Sequence, residues 1–348
     1  MISLEVRKLK RDESLRIPES LLDGATFTAS DAWSQLVGRI YGYTTYRFEA
    51  IENGNMTGIL TVTEVRHPVF GHYLATSPFG SYGGFSYSSS EARDALLNEA
   101  QALANTQSAE YINVRFEARQ GETPPAGWAQ SSNYSTYRVD LGQDIEQLLG
   151  SFSSDHRNHI RKSLKKGFSV NFGRLDLLDD AYEGLARSMH ELGSPYHHKR
   201  YLQNMAEVVG NDLEFAVVYD SSGILAGAGV FISQGKVVTN LHANILRKFR
   251  SDYAGEFFYW SVIERYAQKG FKVFDLGRSL VGSGNEVFKM KWKPRKIPLA
   301  YWYYLPKGGP ITELNQKSPQ FQFAIRIWKR LPSFVVRTLG PHLIRGIV

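Results

Sequence analysis

The chain contains no cysteine. That excludes disulfides, thiolate zinc sites and cysteine nucleophiles, and it fits a reducing compartment. No run of about 18 apolar residues occurs, so no segment reads as a membrane-spanning helix. The opening Met1 to Lys10 lacks the apolar core of a signal peptide. A cytoplasmic location is the expectation. Acids stop at Glu313, and none follows as far as Val348. There is no Ser-His-Asp ordering, HExxH pair, Walker loop, or carboxylate pair on a recognisable scaffold.

What remains is an ordinary globular composition. The 348 residues suggest about two domains. The 41 Lys and Arg against 34 Asp and Glu leave a mild excess of +7, so the placement of the cations matters more than their number. In the first third, Ile2–Leu9 reads as a strand and Asp31–Tyr41 as a helix behind a Ser30/Asp31 cap. Thr45–Glu52 and Thr57–Arg66 read as a hairpin over Glu52-Asn-Gly-Asn55. A glycine-rich loop spans Leu74–Gly84. Ser89–Thr106 is a helix, Tyr111–Phe116 a strand and Gln120–Ser132 a loop.

The second part opens with a strand over Tyr134–Leu141. Helices are expected at Asp144–Phe152, Asp155–Lys166, Leu178–Leu192 and Lys199–Val209, with a strand at Ser169–Phe172. Strands at Leu213–Tyr219, Ile224–Ile232 and Lys236–Ala243 follow in close order. Asp252–Gln268 is a helix ended by Gly270, and Lys296–Leu305 is an aromatic strand. Each part is therefore mixed α+β with the same order of elements, a duplication of pattern without residue identity. The expected division is 1–133, 134–310 and a basic tail, 311–348.

Five features bear on chemistry. First, Phe271–Leu276 is a short strand that breaks at Gly277 into a loop with Arg278, Ser279, Gly282, Ser283 and Gly284. The apolar run resumes at Val287 with Phe288, Lys289 and Trp292. A strand end of this kind presents a cation and free backbone N–H groups. Asp275 reads as a buried cap of that loop, or as the best-placed base. Second, Arg157, Arg161 and Lys165 recur every four residues, flanked by Lys162 and Lys166. Such a stripe is unfavourable unless something anionic sits opposite, and a solvated basic face is the alternative. Third, Gly193-Ser-Pro-Tyr-His-His198 joins two helices, with Tyr196 and His197 candidates for a substrate pocket. Adjacent histidines point apart, so no metal site is expected. Fourth, Arg250-Ser-Asp-Tyr-Ala-Gly255 opens a helix in the manner of a phosphate-cradling turn, but Tyr253 stands where glycine would admit the phosphate. Fifth, 321–348 interleaves Phe321, Phe323, Ile327, Trp328 and Phe334 with Arg326, Lys329, Arg330 and Arg337. It would lie on an anionic membrane surface or pack on its own domain.

Asp275-Leu-Gly-Arg-Ser279 with Phe288-Lys-Met-Lys-Trp292 resembles the Asp-Phe-Gly-Arg-Ser … Phe-Lys-x-x-Trp signature of Fem-like proteins. Within that group the chain resembles the FemAB-related proteins of exosortase and exopolysaccharide systems. Supporting matches are Arg157–Gly167, Gly193-Ser-Pro195, Phe258-Tyr-Trp260, Pro78–Gly84 and Ile327-Trp-Lys-Arg-Leu-Pro332. The resemblance implies a tandem of two GNAT-like domains (acyl-coenzyme A N-acyltransferase-like). It implies an N-acyl or aminoacyl transferase acting on an amine of a cell-envelope, peptidoglycan or exopolysaccharide precursor, free or lipid-linked. Lys289 and Arg278 would serve transfer. Arg157, Arg161, Lys165, Tyr196, His197, Ser279 and Trp292 would bind an anionic substrate. No tightly bound cofactor is implied; the donor is aminoacyl-tRNA or acyl-coenzyme A. No heptad arm, which tRNA-using members often carry, is present. An acyl-coenzyme A-dependent N-acetyltransferase, a non-catalytic scaffold of polysaccharide assembly and an RNA-binding module stay open.

Overall fold

A computed structural model describes residues 4–10, 12–22, 24–142, 144–311 and 319–348, apart from the side chains of 132, 320 and 321. The first two residues of the strand expected from Ile2, the 312–318 part of the tail and the side chain of Phe321 lie outside them. The chain divides into two compact units. One comprises Met1–Ser135, Ile297–Glu313 and Arg345–Val348; the other comprises Thr136–Lys296 and Leu314–Ile344.

The first unit begins with β1 (Leu4–Lys8), α1 (Glu19–Leu22) and α2 (Asp31–Tyr41), then β2 (Thr44–Glu52), β3 (Asn55–His67) and β4 (Gly71–Thr76). β5 (Phe85–Tyr87), α3 (Ser90–Thr106) and β6 (Ile112–Glu117) follow, and β7 (Trp128–Asp140) carries the chain out. α2 starts where expected because the Ser30 side chain accepts from Trp33 N, and Ser89 caps α3 through Ala92 N. The strand order is β1-β2-β3-β4-β6, antiparallel except for the β4/β6 step, with β5 on β3. A parallel step needs a crossover, and α3 supplies it. Leu96, Leu97, Ala100 and Ala104 of α3 bury against Phe48, Leu60, Leu74 and Val114.

The second unit contains α4 (Ile145–Ser151), α5 (Ser154–Leu164), β8 (Ser169–Gly173), α6 (Leu178–Leu192) and α7 (Lys199–Val209). Next come β9 (Leu213–Tyr219), β10 (Leu225–Gln234), β11 (Val237–Ile245), α8 (Ala254–Gln268), β12 (Val273–Asp275), β13 (Ser279–Leu280) and α9 (Gly284–Met290). Its order is β7-β12-β11-β10-β9-β8, and β11/β12 is the parallel step, crossed by α8. Phe258, Val262 and Ile263 of α8 face Val218, Phe231 and Phe274. α6 packs on β10 so closely that a Cβ on Gly184 would sit 3.0 Å from that of Ala228. α10 (Pro319–Trp328) and α11 (Ser333–Ile344) complete the unit, while β14 (Arg295–Tyr304) pairs with β6 in the first.

Both units therefore share one plan: an antiparallel meander, one parallel step with a crossover helix, and an antiparallel strand beyond it. The outer strand is β14 in one unit and the 136–140 end of β7 in the other. The fold is mixed α/β of the tandem GNAT type.

Several local expectations change. The 74–84 loop begins only after Thr76, since β4 runs through Leu74 to pair with β3 and β6. The 120–132 loop ends at Trp128, where β7 starts, and β5 was not anticipated. α5 stops at Leu164, leaving Lys165 as its cap and Lys166 beyond it. The run from Val287 lies in a helix, because Ser283 caps it by accepting from Glu286 N at 3.3 Å.

Trp302 of β14 is fully buried in the first unit, edge-on to Phe116 at 4.8 Å. Trp302→Ala should lower the unfolding free energy by about 3–5 kcal/mol in denaturant titration. A loss below about 1 kcal/mol would contradict its placement in that core.

Candidate active site

In the second unit, the parallel pairing of β11 with β12 lasts only from Val237/Val273 to Thr239/Asp275. Beyond it β11 continues to Ile245, while the chain after Asp275 turns at Gly277 with φ of 75°. The two strands part, leaving a strand-end opening. A register shift on β10 between Val230, paired with His242, and Phe231, paired with Asn240, makes Leu241 the extra residue of a bulge at this level.

Polar groups hold the opening. Asn240 Nδ2 donates to Tyr259 Oη at 3.0 Å and to Leu276 O at 3.4 Å, bridging α8 and the divergent strand. Asp275, 1% exposed, accepts from Thr136 Oγ1 at 2.6 Å and from Gly277 N at 2.8 Å. It is the cap that turns the loop, with Arg138 3.5 Å from its other oxygen. Lys289, 4% exposed, donates from Nζ to Gly277 O at 2.7 Å and Arg278 O at 2.9 Å. The Tyr137 ring lies 5.6 Å from that nitrogen. Glu286 anchors the same helix: its carboxylate accepts from Tyr137 Oη at 2.7 Å, Lys296 Nζ at 2.6 Å and Gly282 N. Lys296 above all, then Gly282 N–H and Tyr137, hold it down to about 2. Burial pushes Lys289 down to about 7, opposed by Asp275 and reinforced by Arg278.

The sequence-derived candidates separate into groups. Lys289, Arg278 and Ser279 meet at the strand end; Arg278 is half-buried, and Ser279 Oγ is buried without a hydrogen-bond partner among the described residues. Trp292 is fully buried, ringed by Phe152, His156, Tyr259 and Phe288, so it packs the core and has no surface to offer a substrate. Tyr196 and His197 are buried on the flank of β11. His197 stacks on Tyr201 at 3.9 Å, and Tyr196 lies edge-on to His242 at 5.6 Å. Burial lowers both histidines, His242 to about 4 and His197 well below its usual range, which favours the neutral rings. The 193–196 stretch is covered by the tail: Trp328 Nε1 donates to Ser194 O at 3.1 Å, and Gly340 lies against Tyr196. Among the described residues no three His, Asp or Glu side chains converge as a metal-ligand set.

The basic stripe has a different disposition from the one expected. Arg157 Nη1 donates to Gly150 O at 3.0 Å and to Phe152 O, capping the end of α4. Arg161 and Lys165 are exposed. The face of α5 directed at the start of α8 carries instead His159 and Lys162, with Lys166 just beyond the helix. His159 stacks on Tyr253 at 4.4 Å, Lys162 lies 6.0 Å from that ring, and Lys166 pairs with Asp252 at 2.6 Å. Tyr253 sits just before α8 with φ of 59°, the left-handed region where glycine is favoured. Glu256, in the first turn, pairs with Lys291 at 3.4 Å. Two carboxylates thus flank a helix start that would otherwise attract a phosphate.

Sequence reasoning missed Asn240, Tyr259 and His242, whose importance depends on strand divergence. It also missed Glu286, although Ser283-Gly-Asn-Glu286 has the spacing of a capping box.

Known proteins share this geometry in part. Residues 153–290 match the family described as acetyltransferase (GNAT) domain. Among solved structures, the fold is similar to FemX, with TM-score 0.66 and 15% identity over 90% of this chain and 100% of that one. It is similar to a tandem GNAT protein of the clavulanic acid biosynthesis pathway, with TM-score 0.52 and 12% identity over 89% and 100%. It is also similar to L-PGS from Bacillus licheniformis, with TM-score 0.50 and 13% identity over 79% and 87%. No curated protein matches the sequence. At these identities the likenesses concern the fold.

Lys289 has a titration signature. The unfolded chain keeps this proton to about pH 10.5 and the folded chain to about 7. The penalty for the buried charge is therefore full below pH 7 and is relieved as pH rises from 7 to 10.5. The stability difference, wild type minus Lys289→Met, should grow across that window in urea titrations. A flat difference would refute the depressed value.

Proposed function

We propose that the protein is an acyltransferase of the GNAT type that moves an acyl or aminoacyl group onto an amine of a cell-envelope or exopolysaccharide precursor. The observation that carries this reading is the parted strand end of the second unit, with its bulge at Leu241 and its loop fixed by Lys289. Strand ends of this kind present unpaired backbone groups, and aligned N–H donors stabilise a developing oxyanion. The neutral amine attacks the carbonyl carbon of the donor ester or thioester; the bond from that carbon to the leaving oxygen or sulfur then breaks, and the amine proton passes through solvent or a nearby base to the departing atom, giving an amide and a free alcohol or thiol. Orientation and electrostatics suffice, without a covalent enzyme intermediate.

In this reading Lys289 acts as a positioning residue. It holds the carbonyls of Gly277 and Arg278 and brings positive charge to the strand end when protonated. Arg278 is the cation that reaches substrate, with Ser279 beside it. Arg161, Lys162 and Lys165 attract an anionic precursor along α5. The crowded start of α8 favours an aminoacyl donor. Tyr253 would obstruct the pyrophosphate of coenzyme A, and Asp252 and Glu256 engage Lys166 and Lys291, cations that would otherwise attract it. The acyl-coenzyme A reading draws support from the GNAT family match.

The donor is tested by native mass spectrometry and calorimetry on the full chain. Wild type should bind acetyl-coenzyme A at least about tenfold more weakly than Tyr253→Gly. Tight binding by wild type, unchanged in Tyr253→Gly, would transfer the donor assignment to coenzyme A. If neither coenzyme A nor aminoacyl-tRNA supports transfer to any amine, the scaffold reading takes its place.

A lipid-linked acceptor would bring the protein to a membrane surface, and the tail supports this. Trp328 and Val336 are buried, whereas Phe323, Ile327 and Phe334 are exposed, Phe334 by 72%. Arg326 and Arg330 share the exposed arc of α10 and its extension with Phe323 and Ile327. The full chain should float with phosphatidylglycerol vesicles in a salt-sensitive way and remain behind with phosphatidylcholine. Phe323→Ser with Phe334→Ser should reduce flotation about tenfold without moving the melting temperature. Undiminished flotation would remove the tail from that role.

A further inference from the structure

A groove of about 1000 Å³ lies in the first unit, beside the outer edge of its sheet. β1 is the outermost strand, yet it covers only part of β2. Its register runs from Leu4/Glu52 to Lys8/Phe48, and Leu9 N donates to Arg47 O at 2.9 Å. There the chain leaves the sheet. Lys10 N turns to Glu13 Oε2 at 2.6 Å, and Leu15 N to Asp31 Oδ2 at 3.0 Å. Arg47, 6% exposed, fixes this departure by pairing with Asp31 and donating to Lys10 O at 2.7 Å.

The departure leaves a strand edge with one neighbour. Among the described residues, Thr44, Thr45 and Tyr46 pair with β3 and with no strand on their other side. In an antiparallel ladder, successive residues turn their N–H and C=O groups to alternate neighbours. Arg47 turns its carbonyl outward to Leu9, so Thr45, two residues earlier, turns both main-chain groups outward, into the groove. Thr45 Oγ1 lies 3.1 Å from Thr63 Oγ1 on β3, the close side-chain approach of a non-hydrogen-bonded pair, which agrees with that direction. α2 forms the facing wall through Ser34, Gly38 and Arg39. Gly38 leaves room, since a Cβ there would meet only Tyr43 O, at 3.6 Å.

Charge is the second observation. Of the acids in the lining, Asp31 is engaged by Arg47 and Leu15 N, and Glu13 by Arg7 and Lys10 N. Lys10 and Arg39 are exposed and make no ion pair among the described residues. Lys8 lies 4.8 Å from the Tyr46 ring. Among the described residues these three cations outnumber the remaining acid of the lining, Asp12. An open main-chain edge is matched by another main chain, so the fitting ligand is an extended peptide. The cations select its sign. A second copy of this chain would bring the same cations against them across a two-fold axis, and like charges oppose that pairing.

We propose that this groove takes up an extended acidic segment of a partner protein by strand addition. One residue of the segment exchanges both main-chain bonds with Thr45, continuing the line of β1, and flanking carboxylates meet Lys8, Lys10 and Arg39. The groove lies wholly within the first unit, so the inference is independent of the donor and acceptor assigned to the second.

The probe is a fluorescein-labelled peptide, Glu-Val-Glu-Val-Glu with blocked ends. Its controls are Lys-Val-Lys-Val-Lys and the acidic peptide N-methylated at its internal residues, which keeps the charge and loses the main-chain donors. Binding to the full chain is followed by anisotropy. The acidic peptide should bind at least about tenfold more tightly than either control, and its affinity should fall as salt rises. Lys10→Glu with Arg39→Glu should weaken it at least about tenfold. Thr45→Pro removes the outward N–H without touching the β3 ladder, and it should weaken binding to a similar degree. If Thr45→Pro does not fold, the N-methylated peptide decides the main-chain part of the proposal. No saturable binding of the acidic peptide to wild type, equal binding of its N-methylated form, or unchanged binding by the charge-reversed protein would overturn the proposal. A wild-type dimer in sedimentation that Thr45→Pro dissociates would also overturn it, by giving the edge to a second copy.

Discussion

The strand end of the second unit depends on one buried ammonium group. Lys289 reaches back from α9 to hold two successive carbonyls at the point where β12 stops following β11. A parallel pair that separates after three residues exposes backbone that must find other partners. Lys289 supplies donors to Gly277 and Arg278, Asn240 supplies one to Leu276, and Asp275 accepts from Gly277. None of these groups could be replaced by an apolar side chain of similar size without leaving buried main-chain atoms unmatched, a cost of about 1–3 kcal/mol each.

The same arrangement sets the electrostatics. Burial drives Lys289 towards neutrality and favours neutral His197 and His242, while Glu286 stays ionised because three donors converge on it. The charge-bearing groups at the strand end are Arg278, the Arg138–Asp275 pair and a lysine that titrates near neutral pH. At the start of α8, by contrast, cations and carboxylates neutralise each other in pairs.

Much of the element order was legible because period and caps agree. α2, α6 and α7 fall within the bounds that their apolar spacing and their Ser30 and Gly193 punctuation imply. Errors occurred where two local signals conflict. Val287-Phe-Lys-Met-Lys-Trp292 continues an apolar run after a glycine loop, and the weight given to that run hid the Ser283–Glu286 cap. Trp128 begins β7 although Pro124, Pro125 and Gly127 precede it, since turn residues mark where a loop turns but not where the next strand is captured.

By itself the sequence determined the α+β class, the duplicated order of elements and the absence of cysteine chemistry. Those are properties of composition and of spacing within a few turns of chain. Tertiary structure alone decided which face of α5 meets Tyr253, that Trp292 is core, that Asn240 and Tyr259 border the opening, and that β1 leaves the Thr44 end of β2 uncovered. Each of these depends on residues far apart in the chain, and no local propensity encodes where two strands part or which side chain a distant segment will cover.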